Sequence, residues 1–307
     1  MSEPVSKPDV SVIVPAYRDA AIIDRCVRSV LNQDYPGSFE VVVVASGDSE
    51  RDRPSVPDDP VVKMIWHPER VPAAVARNEG VREARGDLYA FTDADVVVAS
   101  DWLGNLVEGS DHGTKIVAGS IDNGTPTNIV GTAEYLCEFI DLHPKRRPAT
   151  AWHGATANML IPSGLWQTFG PFVEDLDGGE DTLISVAARR QDRFRFVPSA
   201  KVWHFNRTRL SEVLSHQVSI GRFGARLARR SPMKFGFLLR YTALAPLAVI
   251  GRVISIYSRV VSWGRELTLR SIIGFPIVIA CLLAWGWGLA KEGATLDVRG
   301  TRARRPQ

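Results

Sequence analysis

Apolar positions in the first hundred residues fall into short β-branched runs separated by stretches of helical spacing. Val10-Ser-Val-Ile-Val-Pro15 predicts a buried strand, and Phe39–Val44, Val61–Trp66 and Leu88–Thr92 predict three more. Between them, Ala20–Gln33 puts Ile22, Ile23, Cys26, Val27, Val30 and Leu31 at helical spacing, and Val75–Ala84 predicts a short helix ended by Gly86. A further helix starts over Asp101–Glu108, an apolar one follows at Thr182–Ala188, and Phe194–Val202 reads as another strand. Glycine and proline thicken over residues 119–180, which predicts loops and short strands there. Strands alternating with helices predict an α/β domain with a mainly parallel sheet flanked by helices. Such sheets bind ligands beyond the carboxyl ends of their strands, so Pro15–Asp19, Ala45–Glu50 and Asp93–Asp95 are expected to meet on one side.

From Leu238 the pattern changes. Ser271–Ala290 is a run of 20 uncharged, mostly apolar residues between Arg270 and Lys291, long enough to span a bilayer. Tyr241–Gly264 is also apolar but interrupted by Arg252 and Arg259, which suits an interfacial helix or a tilted span with snorkelling arginines. Two buried helices of a soluble domain would give the same pattern. Arg265 and Arg270 fit poorly in an external loop, so one interfacial helix followed by at most one span is expected. The division expected is a domain over residues 1–230 and a basic, apolar, membrane-associating helical region over 231–307.

Charge strengthens that division. The chain has 37 basic and 34 acidic residues, a net charge of +3. Residues 1–200 carry 19 basic and 30 acidic side chains, whereas residues 201–307 carry 18 and 4. An acidic body suits a metal or substrate site. A basic apolar tail, with Arg302, Arg304 and Arg305 near its end, suits anionic lipid heads on the cytoplasmic face of a membrane. No nucleic-acid partner is expected, because the arginines alternate with apolar runs rather than forming one polar patch. Polar Met1–Asp9 predicts no secretory signal, and three scattered cysteines give neither a disulfide scaffold nor zinc-type spacing.

Four groups of residues carry candidate chemistry. Phe91-Thr-Asp93-Ala94-Asp95 ends a buried strand; in an extended segment its two carboxylates point the same way and suit a hard divalent cation bridging a diphosphate. An acidic turn has the same sequence. Ala76-Arg77-Asn78-Glu-Gly80 offers a guanidinium for a phosphate or a site carboxylate, though a surface helix arginine is commoner. Gly178-Gly179-Glu180-Asp181 opens a helix, where acidic residues are ordinary caps or, alternatively, hold a general base. Val202-Trp203-His204 ends a strand with a histidine able to complete a metal shell. The first strand is followed by neither Gly-x-Gly-x-x-Gly nor a P-loop, which argues against a dehydrogenase or a P-loop enzyme.

In order, Val10–Tyr17, Ala76–Gly80, Phe91–Asp95 and Gly179–Asp181 resemble the family 2 glycosyltransferases over roughly residues 8–225. Gly154-Ala-Thr-Ala-Asn158 resembles that family's acceptor-side segment, and Phe169-Gly-Pro-Phe172 its turn before the Glu-Asp pair. The resemblance implies a GT-A fold, a nucleotide-sugar donor, a divalent metal (Mn2+ or Mg2+) and inversion at the anomeric carbon. It implies that Pro15, Ala16, Tyr17 and Asp19 border the base and ribose, and that Arg77, with Asn78, lies near the donor phosphates. Asp93 would contact ribose or metal, with Ala94 in the same donor-side set, and Asp95 would ligate the metal, with His204 as a further ligand. Asp181 would be the base, with Glu180 beside it shaping an acceptor pocket that Gly154, Asn158 and Gly179 also line. One departure is the stretch after the second strand. Ala45 and Ser46 stand where the family carries carboxylates, leaving Ser46 or Asp48 to take their place. Another is Gln217-Val-Ser-Ile-Gly-Arg222-Phe223, whose spacing differs from the processive Gln-x-x-Arg-Trp motif, so no processive polymerisation is expected. The function expected is sugar transfer to a glycan or lipid-linked acceptor, in cell-envelope glycan or glycolipid synthesis. The alternative is a catalytically silent, membrane-bound nucleotide-sugar binding or scaffold protein.

Overall fold

The computed structural model describes residues 7–18, 22–176, 178–230, 242–263 and 265–303. Asp19, Arg304 and Arg305 lie outside the described residues. The chain folds as two compact units: a sheet unit of residues 1–124 and 141–205, and a helical unit of residues 125–140 and 206–307.

The sheet unit carries one eight-stranded sheet in the order β3-β2-β1-β4-β7-β6-β8-β5. β1 (Val10–Tyr17) lies between β2 (Phe39–Ser46) and β4 (Leu88–Thr92), parallel to both, and β3 (Val62–His67) runs parallel to β2. β1 and β2 are buried almost end to end, hence their unbroken apolar runs. Each fully buried valine or isoleucine there contributes about 1.5–3 kcal/mol over its exposed state. Pro15 is tolerated in this central strand because β1 pairs with β4 only through Ile13, so no bond to β4 is lost at its missing N–H.

The other half of the sheet is mixed. β7 (Asn158–Pro162) is antiparallel to β4 and to β6 (Ile116–Asn123). β8 (Phe194–His204) is parallel to β6, and β5 (Val96–Val98) is antiparallel to β8. Helices α1 (Ile23–Leu31), α2 (Ala73–Glu83), α3 (Trp102–Gly109), α5 (Ser163–Phe169) and α6 (Glu180–Arg190) complete the unit. Ile13, Phe91, Ile116, Met159, Phe172 and Ile184 lie in its core. At the amino end of the sheet, buried Glu40 accepts bonds from Ser11 Oγ (2.7 Å) and from Arg85 N (2.6 Å) and Nε (2.8 Å). Burial pushes its carboxyl up, and the bonds from Ser11 and Arg85 more than reverse this, holding it below the ordinary carboxylate range.

The helical unit consists of α4 (Ile129–Glu138), α7 (Leu210–Arg230), α8 (Ala245–Trp263), α9 (Arg265–Ile273) and α10 (Phe275–Ala303). α7 and α10 approach closely at two glycines. A Cβ on Gly221 would lie 2.0 Å from the Trp285 carbonyl oxygen, and one on Gly288 2.0 Å from that of Val218. Ala245–Trp263 and Phe275–Leu296 are long and apolar enough to cross a membrane. The apolar stretch 271–290 is not one helix, because the chain breaks at Gly274. Its N–H donates to Arg270 O at 2.9 Å, and Pro276 opens the next helix. Arg252 does not reach out of the unit: its guanidinium bonds Cys137 O and lies 5.1 Å from the centre of the Trp285 ring.

Candidate active site

The carboxyl ends of the parallel strands bring the first expected group together. Tyr17 ends β1 opposite Ser46, the last residue of β2, and the Tyr17 hydroxyl donates to Asp48 Oδ1 at 2.8 Å. That bond, more than any other influence, holds the hydroxyl above its ordinary pKa. Arg18 pairs with the same carboxylate, and Arg70 lies 5.2 Å from the Tyr17 ring centre. Ser46 is buried, its Oγ 3.4 Å from Ala16 O, while Asp48 is exposed. Asp52 was not foreseen. Its carboxylate accepts from Asp48 N (2.9 Å) and from Ser49 N (3.1 Å), and the Asp48 bond is the main reason its pKa is lowered. Trp66 on β3 donates its indole N–H to Glu50 at 2.9 Å.

The Asp-x-Asp segment differs from its sequence reading. β4 ends at Thr92, whose hydroxyl donates to Ala157 O, and residues 93–95 form a turn closed by Val96 N to Asp93 O at 3.2 Å. The chain must turn there because β5 pairs with β8 rather than with a neighbour of β4. The two carboxylates therefore have separate partners. Asp95 Oδ1 sits 3.4 Å from Nε2 of His204, which is buried at the end of β8. Asp93 Oδ1 accepts from Arg77 Nη2 at 2.7 Å.

Arg77 joins the motifs. Buried on α2, it donates from Nη1 to Glu180 Oε1, also at 2.7 Å. Its fork thus ties the Asp-x-Asp turn to the Glu-Asp pair across 103 residues. Burial pulls the guanidinium pKa down, and Asp93 and Glu180 raise it by more, so it stays charged. Glu180 is pushed up chiefly by burial, with Arg77 opposing and Asp181 adding to the rise. Arg77 Nε and Glu180 Oε2 are buried without a hydrogen-bond partner among the described residues.

α6 is preceded by Gly179 at its N-cap, whose φ of +80° is the left-handed region that favours glycine. Asp181 in its first turn accepts from Thr182 N (2.6 Å) on Oδ1 and from Thr156 N (3.1 Å) on Oδ2. One turn on, Ser185 Oγ accepts from Gly154 N at 3.1 Å, and a further turn on Arg189 bonds Ala151 O. The segment 151–156 is thereby laid along one face of the helix that carries Asp181. Within it His153 has its pKa lowered, first by burial, with Asp141 and Asp181 acting the other way. Asn158 is fully buried and committed to the fold: Oδ1 accepts from Trp102 Nε1, and Nδ2 donates to Ser120 O and Ala200 O, each at 2.8 Å. Asn78 is similarly engaged, bonding the backbone of Phe172 and the carboxylate of Glu174.

Among the described residues, the group of three that holds its ligand atoms within 4.8 Å of one another is Glu134, Glu138 and His216 of the helical unit, not the Asp-x-Asp turn. Glu134 there is fully buried and paired with Arg207 at 2.8 Å.

The family model described as glycosyl transferase family 2 matches residues 11–150. Glycosyltransferase AglE of Haloferax volcanii is 30% identical over 183 residues, which are 57% of this chain and 59% of that protein. Pre-mycofactocin glycosyltransferase of Mycobacterium tuberculosis is 28% identical over 280 residues, 84% of this chain and 57% of that protein. The chain thus spans less than two thirds of the length of these curated relatives. A mannosyltransferase from Pyrobaculum calidifontis, solved in complex with GDP-Man and Mn2+, superposes with a TM-score of 0.57 at 19% identity, covering 95% of this chain and 88% of that one. That likeness is one of fold, and with the strand order above it gives the GT-A architecture. On the matched family model, the related sequences and this fold, the chain belongs to the family 2 glycosyltransferases.

Proposed function

We propose that this protein transfers a sugar from a nucleoside-diphosphate sugar to an acceptor hydroxyl with inversion, in the synthesis of an envelope glycan or glycolipid at the cytoplasmic face of a membrane. The observation that carries the reading is the Arg77 fork. It brings a donor-side carboxylate, Asp93, and the acceptor-side pair Glu180-Asp181 into one cluster. The mannosyltransferase of similar fold holds GDP-mannose and Mn2+, which supports a nucleotide-sugar donor here.

On this reading Pro15, Ala16, Tyr17 and the Ser46–Asp52 loop flank the nucleoside, with Asp48 and Asp52 supplying the carboxylates that Ala45 and Ser46 lack. Asp95 and His204, with Oδ1 and Nε2 3.4 Å apart, would hold Mn2+ or Mg2+, a hard oxygen beside an imidazole nitrogen. The chemistry it would supply there is an offset to the charge gathering on the leaving diphosphate. Asp181 takes the acceptor proton as the new bond forms, and its bonds from Thr156 N and Thr182 N fix the direction in which it does so. A single displacement with one base gives inversion. Arg77 keeps Asp93 and Glu180 from repelling each other across the site. Transfer chemistry is assigned to the domain within residues 1–230, and the basic apolar region from 231 onward to the membrane.

Thermal-shift screening of the full chain against nucleoside-diphosphate sugars, with and without Mn2+, tests the reading. Stabilisation by one donor, enhanced by the metal, is expected, and no response to any donor would count against it.

A further inference from the structure

The sheet unit hides its apolar side chains thoroughly. Among its described residues, Trp152 is the one large hydrophobic side chain that stands exposed, at 37%. Elsewhere in the unit such side chains are buried or partly buried. A lone exposed indole is ordinary on a protein surface, so its position decides its meaning.

Asp181, Ser185 and Arg189 recur every fourth residue and occupy one face of α6. Each bonds the segment that carries Trp152: Asp181 at Thr156 N, Ser185 at Gly154 N and Arg189 at Ala151 O. The backbone that carries the tryptophan is therefore tied to the same helix as Asp181, through residues one and two turns on, whose backbone lies roughly 6–12 Å from Asp181 along the axis. That is the reach of a sugar unit or two. The ring is also held in attitude: His153 packs against it edge-on, with centroids 4.1 Å apart and planes at 66°. Lys145 and Arg147, a few residues before it in the chain, are also exposed.

We propose that Trp152 is the floor of an acceptor subsite that takes the C–H face of a sugar ring, so that the acceptor is a glycoside rather than a bare lipid phosphate. A flat indole with polar neighbours suits a sugar, which presents C–H groups on its face and hydroxyls at its rim. A lipid chain needs a continuous apolar surface, and none is exposed on the described part of this unit. The inference rests on Asp181 serving as the base.

Saturation-transfer NMR on the full chain in nanodiscs, with a panel of methyl glycosides, tests the subsite without requiring turnover. Wild type should transfer saturation to the face protons of at least one glycoside. Trp152→Ala should lose at least about tenfold of that affinity and Trp152→Phe should retain most of it, because any aromatic face stacks. Equal signals in wild type and Trp152→Ala, or none for any glycoside, overturn the proposal. So does loss in Trp152→Phe equal to that in Trp152→Ala. In transfer assays the acceptor KM of Trp152→Ala should rise while the donor KM moves less than about twofold. An equal rise with sugar-free polyprenyl phosphate as acceptor overturns it in favour of a lipid. A failed donor screen with positive glycoside binding would instead fault the transferase reading alone.

Discussion

The two units solve opposite surface problems. The sheet unit encloses its apolar side chains and gathers carboxylates at the end of its sheet, where Arg77 lies between Asp93 and Glu180. The helical unit leaves Leu247, Ile250, Ile254 and Val261 of α8, Leu269, Ile272 and Ile273 of α9, and Phe275, Leu283 and Trp287 of α10 exposed. It spends its polar side chains internally, with Arg207 on Glu134 and Arg252 on the α4 backbone. The contrast teaches that the near-neutral total charge averages two bodies built for different surroundings. A sheet unit finished for water can hold charged chemistry. A helical unit with apolar faces uncovered is the part that the proposed function assigns to the membrane.

The largest effect expected belongs to the sheet unit. Asp181→Asn keeps the size of the side chain and an acceptor for Thr156 N but removes the proposed base. Transfer should fall by about 10²–10⁴-fold while donor-induced thermal stabilisation persists. Near-normal turnover would move the base elsewhere in the unit, with Glu180 the first alternative. Measuring both quantities on one preparation separates loss of chemistry from loss of the donor site.

How much of this could be read beforehand follows from where each signal lies. β1 and β2 announce themselves because burial on both faces demands unbroken β-branched runs. β5, with three residues, and β7, which begins at a buried asparagine, give no such run, so the mixed half of the sheet dissolved into a glycine- and proline-rich stretch. The Asp-x-Asp spacing was legible, but not that the pair falls on a turn after the strand has ended. Pairing β5 with β8 forces a turn that sends the two carboxylates to different partners. Arg77 was visible as a candidate, whereas its bond to Glu180 joins residues 103 apart and exists only in the fold. Asp52 and Trp152 were missed for the same reason. Nothing in a local pattern says which loop carboxylate caps a backbone or which tryptophan stays uncovered. Ser271–Ala290 was legible as apolar, and Gly274-Phe-Pro276 already held the punctuation that divides it.

A smaller effect is expected where the helical unit meets its surroundings. Leu247, Ile250 and Ile254, at 54%, 54% and 65% exposure, recur at helical spacing on α8. Replacing all three with glutamine keeps helix propensity and the unit's own core, yet removes apolar surface worth about 3 kcal/mol of partitioning, roughly a hundredfold. Flotation with phosphatidylethanolamine–phosphatidylglycerol vesicles measures it. A variant that floats like wild type would show that this face does not meet lipid and would remove half of the contrast drawn above.

The smallest effect sharpens the contrast inside the sheet unit, where Glu40 is a carboxylate held for structure rather than chemistry. Its pKa is lowered in the fold, against burial, by bonds from Ser11 and Arg85. The stability it contributes is therefore present above the unfolded carboxylate pKa of about 4.3, and it is lost as pH falls through the lower folded value. Glu40→Gln keeps the shape but loses the charge-assisted bonds, which should cost about 1.5–3 kcal/mol at neutral pH. Thermal melts of both proteins from pH 7 downward should show the gap in Tm constant until the carboxylate begins to protonate, then closing. A gap that persists unchanged into acid would mean that Glu40 acts through packing alone, because only a group that titrates can make the two proteins converge.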